Sequence, residues 1–139
     1  MKKWMVLCLL LVSGMGMVVS SQTGASGLKA SMARGKQVYD RYCLTCHQAD
    51  GGGVPRMNPP IANTEYVLGS KQRLIGIVLN GLNVPLEING EEYENPMASH
   101  AFLKDQQIAD VLTYIRNSFG NKASAVTVAE VKSVRAKNK

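Results

Sequence analysis

The clearest periodicity in the chain lies at 105–119, DQQIADVLTYIRNSF. Ile108, Val111, Leu112, Ile115 and Phe119 recur at i, i+3, i+4, i+7 and i+11, which is one face of a helix. Asp105 is placed to cap its start and Gly120 to end it. A second stripe, Leu74, Ile77 and Val78, runs through KQRLIGIVLNG, with Ser70 as N-cap and Gly81 as stop. A third, Met32, Val38, Tyr39 and Tyr42, predicts a helix over 32–46 behind Ser31 as N-cap. Gly35 interrupts it at a cost in helix stability, which a close helix crossing would justify. Residues 64–68 suit a single helical turn, and Thr127 with Glu130 forms a capping box for a short terminal helix. LEINGEEY sets Asn89-Gly90 between two short extended arms, a hairpin signal. HQADGGGVPRMNPP is rich in Gly and Pro and reads as loop, and 96–103 has no period at all. The pattern predicts a small all-α domain with one short β-hairpin and no internal repeat.

Residues 1–21 do not belong to that pattern. Lys2 and Lys3 precede the apolar run WMVLCLLLV, and small and polar residues follow. This is the layout of a secretory signal peptide, with Val19 and Ser21 before a cut and a mature chain from about Gln22. The alternative is an uncleaved membrane anchor, for which residues 4–19 are short and carry Ser13, Gly14 and Gly16. Cys8 leaves with the signal peptide. The expected order is therefore signal peptide 1–21, domain 22–120 and a basic tail 121–139 in an exported, periplasmic protein.

With 139 residues, 16 of them basic and 10 acidic, the chain is positive overall. The excess is local. The tail holds Lys122, Lys132, Arg135, Lys137 and Lys139 against Glu130 alone, whereas residues 22–120 balance nine basic against nine acidic residues. No basic stripe is interleaved with aromatics, so nucleic acid is excluded as a partner. The tail is expected to be a solvated appendage.

Chemistry concentrates in CLTCH, residues 43–47. A disulfide across two intervening residues would close a tiny loop and stabilise little. A thioredoxin-like pair would need a βαβ pattern around it, which is missing. Zinc would need two further ligands at short spacing, and His100 stands 53 positions after His47. Covalent haem remains: Cys43 and Cys46 form thioethers to one porphyrin, and His47 reaches the iron. A domain of this size has a limited apolar core of its own, and the porphyrin would complete it.

A second iron ligand could come from Met57, Met97 or His100. Met57 follows closely on His47, in the loop that leaves the motif. Met97 sits in the non-periodic stretch between Pro96 and Ala98, where a lone Met is poorly explained as core filler, and it is favoured.

The order GKQVYDRYCLTCH, NPPIANTEYVLGS, RLIGIVLNGL, INGEEYENPM and FLKDQQIADVLTYIRNSFGN resembles a class I c-type cytochrome over residues 33–120. It is similar to the monohaem domains found beside quinoprotein dehydrogenases or fused to copper nitrite reductases. The resemblance implies a cytochrome c fold with one haem c on Cys43 and Cys46, and iron held by His47 and Met97. It implies that Pro60, with Pro59 second, offers a carbonyl to the ligand histidine's other nitrogen. It places Gly35, Tyr39 and Tyr114 where the first and last helices cross. The implied activity is electron transfer at an exposed haem edge, without enzymatic chemistry, to redox partners such as a dehydrogenase, reductase or oxidase. Contact with a membrane would come only through an uncleaved anchor or a partner complex. The alternative is a haem enzyme or gas sensor with a displaceable sixth ligand. Three positions depart from the family pattern: Ala98 after the methionine, Lys104 where a serine cap is common, and Asn63 for a glycine.

Overall fold

The computed structural model describes residues 22–137, with side chains from 26 onward. The segment expected to be a signal peptide, with Cys8, lies outside the described residues. In order come α1 (Gln22–Tyr42), α2 (Leu44–His47), α3 (Glu65–Leu68), α4 (Lys71–Asn80), β1 (Leu86–Ile88), β2 (Glu91–Tyr93), α5 (Asp105–Arg116) and α6 (Val128–Lys137). The two strands pair antiparallel, Leu86 opposite Tyr93. Asn89 and Gly90 both take left-handed backbone, at φ 54° and 80°, as a tight hairpin turn requires.

The α5 stripe is buried as its period predicts: Ile108, Val111, Leu112 and Ile115 all lie in the core. In α4, Leu74 and Val78 are buried, and so are Ile75 and Leu79 on another face, because α4 is covered on more than one side. Ser70 accepts from the Arg73 N–H, and Gly81 ends the helix at φ 75°. Thr64 caps α3 in the same way, accepting from Val67.

Four expected helix ends are corrected. α1 runs through Ser31, which is not a cap; its hydroxyl donates to Asp110 at 2.5 Å. The same helix stops at Tyr42, and α2 restarts at Leu44, so the expected 32–46 helix is broken at Cys43. Asp105 does not cap α5. Lys104 holds that position and its N–H donates to the Gln107 side chain at 3.0 Å, which frees Asp105 to pair with Arg135 at 2.7 Å. α5 ends at Arg116, and Phe119 and Gly120 follow in left-handed backbone.

α1 crosses α5 at Gly35. A Cβ there would collide with the Asp110 carbonyl and the Tyr114 Cβ, so the glycine sets how close the helices come. Tyr39, Tyr114 and Phe119 cluster beside this crossing, with ring centroids 5.2–5.6 Å apart. Asp110, 2% exposed, is the polar centre of the same crossing. It accepts from Ser31, from both Arg34 Nε and Nη2 at 2.7 and 2.9 Å, and from Gln106 at 3.0 Å. Burial pushes its pKa up, but the bonds from Arg34, Ser31 and Gln106 prevail and hold it below the usual carboxylate value. A lowered pKa contributes stability that is complete above the ordinary value and withdrawn as pH falls through the folded one. Asp110→Asn should therefore melt lower than the parent at pH 7, by about 2 kcal/mol. In thermal melts the gap should shrink as pH falls below the ordinary carboxylate value; a gap constant with pH would show that Asp110 is not charged in the fold.

The tail is not an appendage. Val131 of α6 is fully buried, and α6 lies on α4 and α5. Lys71 donates to Glu130 at 3.0 Å and to the Ala125 carbonyl at 2.6 Å. Thr113 and Val126 exchange two hydrogen bonds. The expected capping box forms, with Thr127 and Glu130 each accepting from the other's N–H. Arg116, buried among carbonyls, donates to Val67, Gly69 and Ser124 and so ties α3 and the tail to α5. Among the described residues no buried side-chain polar atom lacks a partner.

Candidate haem site

α1 delivers Cys43 to the edge of a cavity, and the single turn of α2 carries Cys46 and His47 into the same wall. The turn closes because His47 N–H donates to the Cys43 carbonyl at 3.0 Å and Gln48 N–H to the Leu44 carbonyl at 2.8 Å. Tyr39 fixes it from α1, its hydroxyl donating to the Gln48 carbonyl at 2.6 Å. Cys43 is half-buried, Cys46 is exposed, and both are free thiols. Burial, then the neighbouring Cys46, pushes the Cys43 thiol up to about 11.

The imidazole of His47 is held by one bond, Nδ1 to the Pro59 carbonyl at 3.1 Å. A carbonyl only accepts, so Nδ1 carries the proton and the lone pair of Nε2 is left free. Burial lowers the His47 pKa, the Pro59 bond opposes that, and nearby His100 lowers it further. The carbonyl is that of Pro59 and not of Pro60, which corrects the sequence-based assignment. Both prolines line the cavity. What selects Pro59 is the path of the loop. Gly53, at φ 70°, leaves no room for a Cβ against Asn58 and Pro59, and Ile61 N–H is tied to the Gly51 carbonyl at 2.8 Å.

The cavity has a volume of 380 Å³ and apolar walls drawn mainly from α3, α4 and α5, among them Val67, Leu74, Val78 and Leu112. This is the size of a small-molecule or cofactor site. The hairpin closes another side with Leu86, Ile88 and Tyr93. Met97 also lines it. The segment bearing Met97 is pinned to Leu82 by two backbone bonds, of 2.9 and 2.8 Å, and the chain passes Gly81 too closely to admit a Cβ there. His100 lines the cavity as well, with its Nδ1 bonded to the Ala98 carbonyl at 2.8 Å and its backbone N–H donating to the Val78 carbonyl. Met57, the other candidate, is half exposed and is not among the lining residues.

Sequence reasoning thus named Cys43, Cys46, His47 and Met97, and the fold brings all four to one cavity. It missed Leu82, the backbone partner of Met97, for which the only local signal is Gly81 just before it. It also missed Arg116 and Asn121. The Asn121 amide bonds to the Ile61 and Ile115 carbonyls at 3.0 and 2.8 Å and accepts from Asn63 N–H at 2.7 Å, holding the loop below the cavity.

The donor set fits a porphyrin: two thiols at one edge, one imidazole with a free nitrogen, and apolar walls that would cover a flat macrocycle. No three His, Cys, Asp or Glu side chains converge as a metal cage among the described residues, which leaves a tetrahedral zinc site without ligands. Fold and site together define a protein that binds haem by covalent attachment. The cytochrome c family model matches residues 32–119, and the chain belongs to that family, which binds covalently attached haem c. It is 37% identical over 120 residues to cytochrome c-552 of Thermus thermophilus, covering 80% of each chain. It is 40% identical over 114 residues to the cytochrome c subunit of alcohol dehydrogenase (quinone) from Gluconacetobacter polyoxogenes, covering 80% of this chain and 24% of that one. The cytochrome c subunit of gluconate 2-dehydrogenase from Pantoea cypripedii is 37% identical over 119 residues, at 83% and 24% coverage.

Proposed function

We propose that this chain is an exported monohaem electron carrier in which His47 and Met97 would hold the iron. Bound haem supplies one-electron chemistry between ferrous and ferric iron. The chain supplies the rest. Cys43 and Cys46 anchor, and Pro59 orients His47 and makes it a better donor. The apolar walls exclude water. One electron enters from a reduced donor and leaves to an oxidised acceptor, and no atom is transferred.

The observation that carries this reading is the placement of Met97. It lines the cavity that Cys43, Cys46 and His47 line, on a segment pinned by two backbone bonds. A thioether held in this way would serve as a fixed second ligand to the iron, as a carrier requires and a gas sensor does not. Among the expected partners, a dehydrogenase, reductase or oxidase, the relatives that are dehydrogenase subunits favour a dehydrogenase. The N-terminal segment 1–21 favours export to the periplasm, with 22–120 as the redox domain and 121–139 as a basic C-terminal segment.

A visible spectrum and carbon monoxide kinetics of the holo-protein test the reading. The ferric form should be low spin, with the weak long-wavelength band of sulfur–iron ligation. The reduced form should bind carbon monoxide slowly. Rapid binding by the unaltered protein would mean an open sixth position and would put the sensor or enzyme reading first.

A further inference from the structure

Three segments form the exposed rim of the cavity: 42–49 (YCLTCHQA), 80–86 (NGLNVPL) and 95–103 (NPMASHAFL). None of them contains an Asp, Glu, Lys or Arg. In a chain in which 19% of residues are charged, that leaves the rim unusually bare. Its protruding side chains are apolar. Val84 lines the cavity and is 58% exposed, and Phe102 is 66% exposed. Phe102 is not loose. Its ring packs 5.4 Å from Tyr42 and 5.7 Å from His100, two residues that line the cavity. Rings from α1 and from the Met97 segment therefore hold it at the rim.

Charges begin only outside these segments, and their signs are mixed. Arg41, stacked on Tyr42, and Lys104 flank one part; Glu87 and Glu94 flank another. Arg135, which bonds the Ala101 and Leu103 carbonyls, is neutralised by Asp105. No single-sign field surrounds the opening, so charge steering cannot dominate approach to it. Exposed aromatic and aliphatic groups grouped around a site mark an interaction surface.

We infer that this rim, centred on Phe102 and Val84, is a docking surface for the uncharged, apolar face of a redox protein. Matching an uncharged rim to an uncharged partner avoids burying unpaired charge on either side. Association then depends on apolar contact and hardly on salt. The inference rests on the electron-carrier reading and adds the chemistry of the partner's face.

Gold electrodes coated with methyl-, carboxylate- or amine-terminated monolayers serve as probes for the holo-protein. Electron exchange should be fastest on the methyl surface and unchanged from about 0.01 to 0.5 M salt. Phe102→Glu and Val84→Lys, which add opposite charges, should each slow exchange there by about tenfold. The solution spectrum of Phe102→Glu, whose residue lies outside the cavity lining, should keep the parent's ligand bands. Leu28→Glu, at an exposed apolar site near the start of α1 and well before Cys43, should have no effect. Faster exchange on a charged surface that fades with salt would overturn the inference, as would variants that behave like the parent. Concentration-dependent dimers abolished by Phe102→Glu would also overturn it, by making a second copy the occupant. Absence of a reversible one-electron wave on every surface and in solution would instead sink the carrier reading itself.

Discussion

The double variant Cys43→Ala, Cys46→Ala should lose both its covalent haem and its cooperative unfolding. The fold explains why the two losses come together. The walls of the 380 Å³ cavity are the inner faces of α3, α4 and α5, the same helices that carry the core. Left empty and dry, a void of that size would cost roughly 9 kcal/mol at about 24 cal/mol per Å³. That is comparable with the whole stability of a domain, roughly 5–15 kcal/mol. The apo-chain can escape that cost only by flooding the cavity, which wets its apolar walls, or by collapsing it, which shifts α3, α4 and α5. Acidified acetone should leave the colour on the parent protein and remove any from the variant. Calorimetry should show a sharp transition for the parent and none for the variant. A sharp transition in the variant close to the parent's would disprove the idea that the domain folds around its cofactor.

Met97→Ala should convert a closed site into an open one. The Leu82–Met97 bridge is made by backbone atoms, so the substitution removes the sulfur without removing the bonds that place the segment. High-spin character should appear, carbon monoxide should bind fast, and the midpoint potential should fall. A drop of about 100 mV or more is a modest part of the roughly 0.8 V span that axial ligands cover. His100→Ala should do none of this, because Met97 and not His100 is proposed to supply the second ligand. Loss of the sixth ligand in His100→Ala, with Met97→Ala unaffected, would replace the methionine assignment with a pair of histidines.

Much of this site could be read from local pattern because its chemistry is local. Cys43, Cys46 and His47 act within one helical turn, Asn89-Gly90 is a tight turn, and Ser70 and Thr127 cap the turns that directly follow them. The α5 stripe was legible for the same reason, since a period reports a buried face without naming what covers it. Failures occurred where the answer lay elsewhere in the chain. Ser31 looks like a cap until Asp110, 79 positions away, claims its hydroxyl. Asp105 looks like a cap until Arg135 takes its carboxylate. Choosing between the Pro59 and Pro60 carbonyls depends on backbone angles set by the packing of Gly53, and adjacent prolines carry no local sign of it. The tail's charge suggested solvent, yet Val131 and the buried Arg116 network bind it to the body. Periodicity did not bring the distant Met97 to the cavity of His47; the lack of a period around Met97 and the family resemblance singled it out.

The Asp110 cluster also bears on the order of events in the life of the chain. Its bonds join Ser31 and Arg34 to a residue far along the sequence, whereas the attachment motif fits within a single short stretch, 43–47. A chain made from its N-terminus presents Cys43, Cys46 and His47 long before α5 exists to cross α1. Closing so wide a loop is slow, because its entropy is spent before any contact is gained. The motif is therefore made, and open to attachment, before the crossing at Gly35 can form.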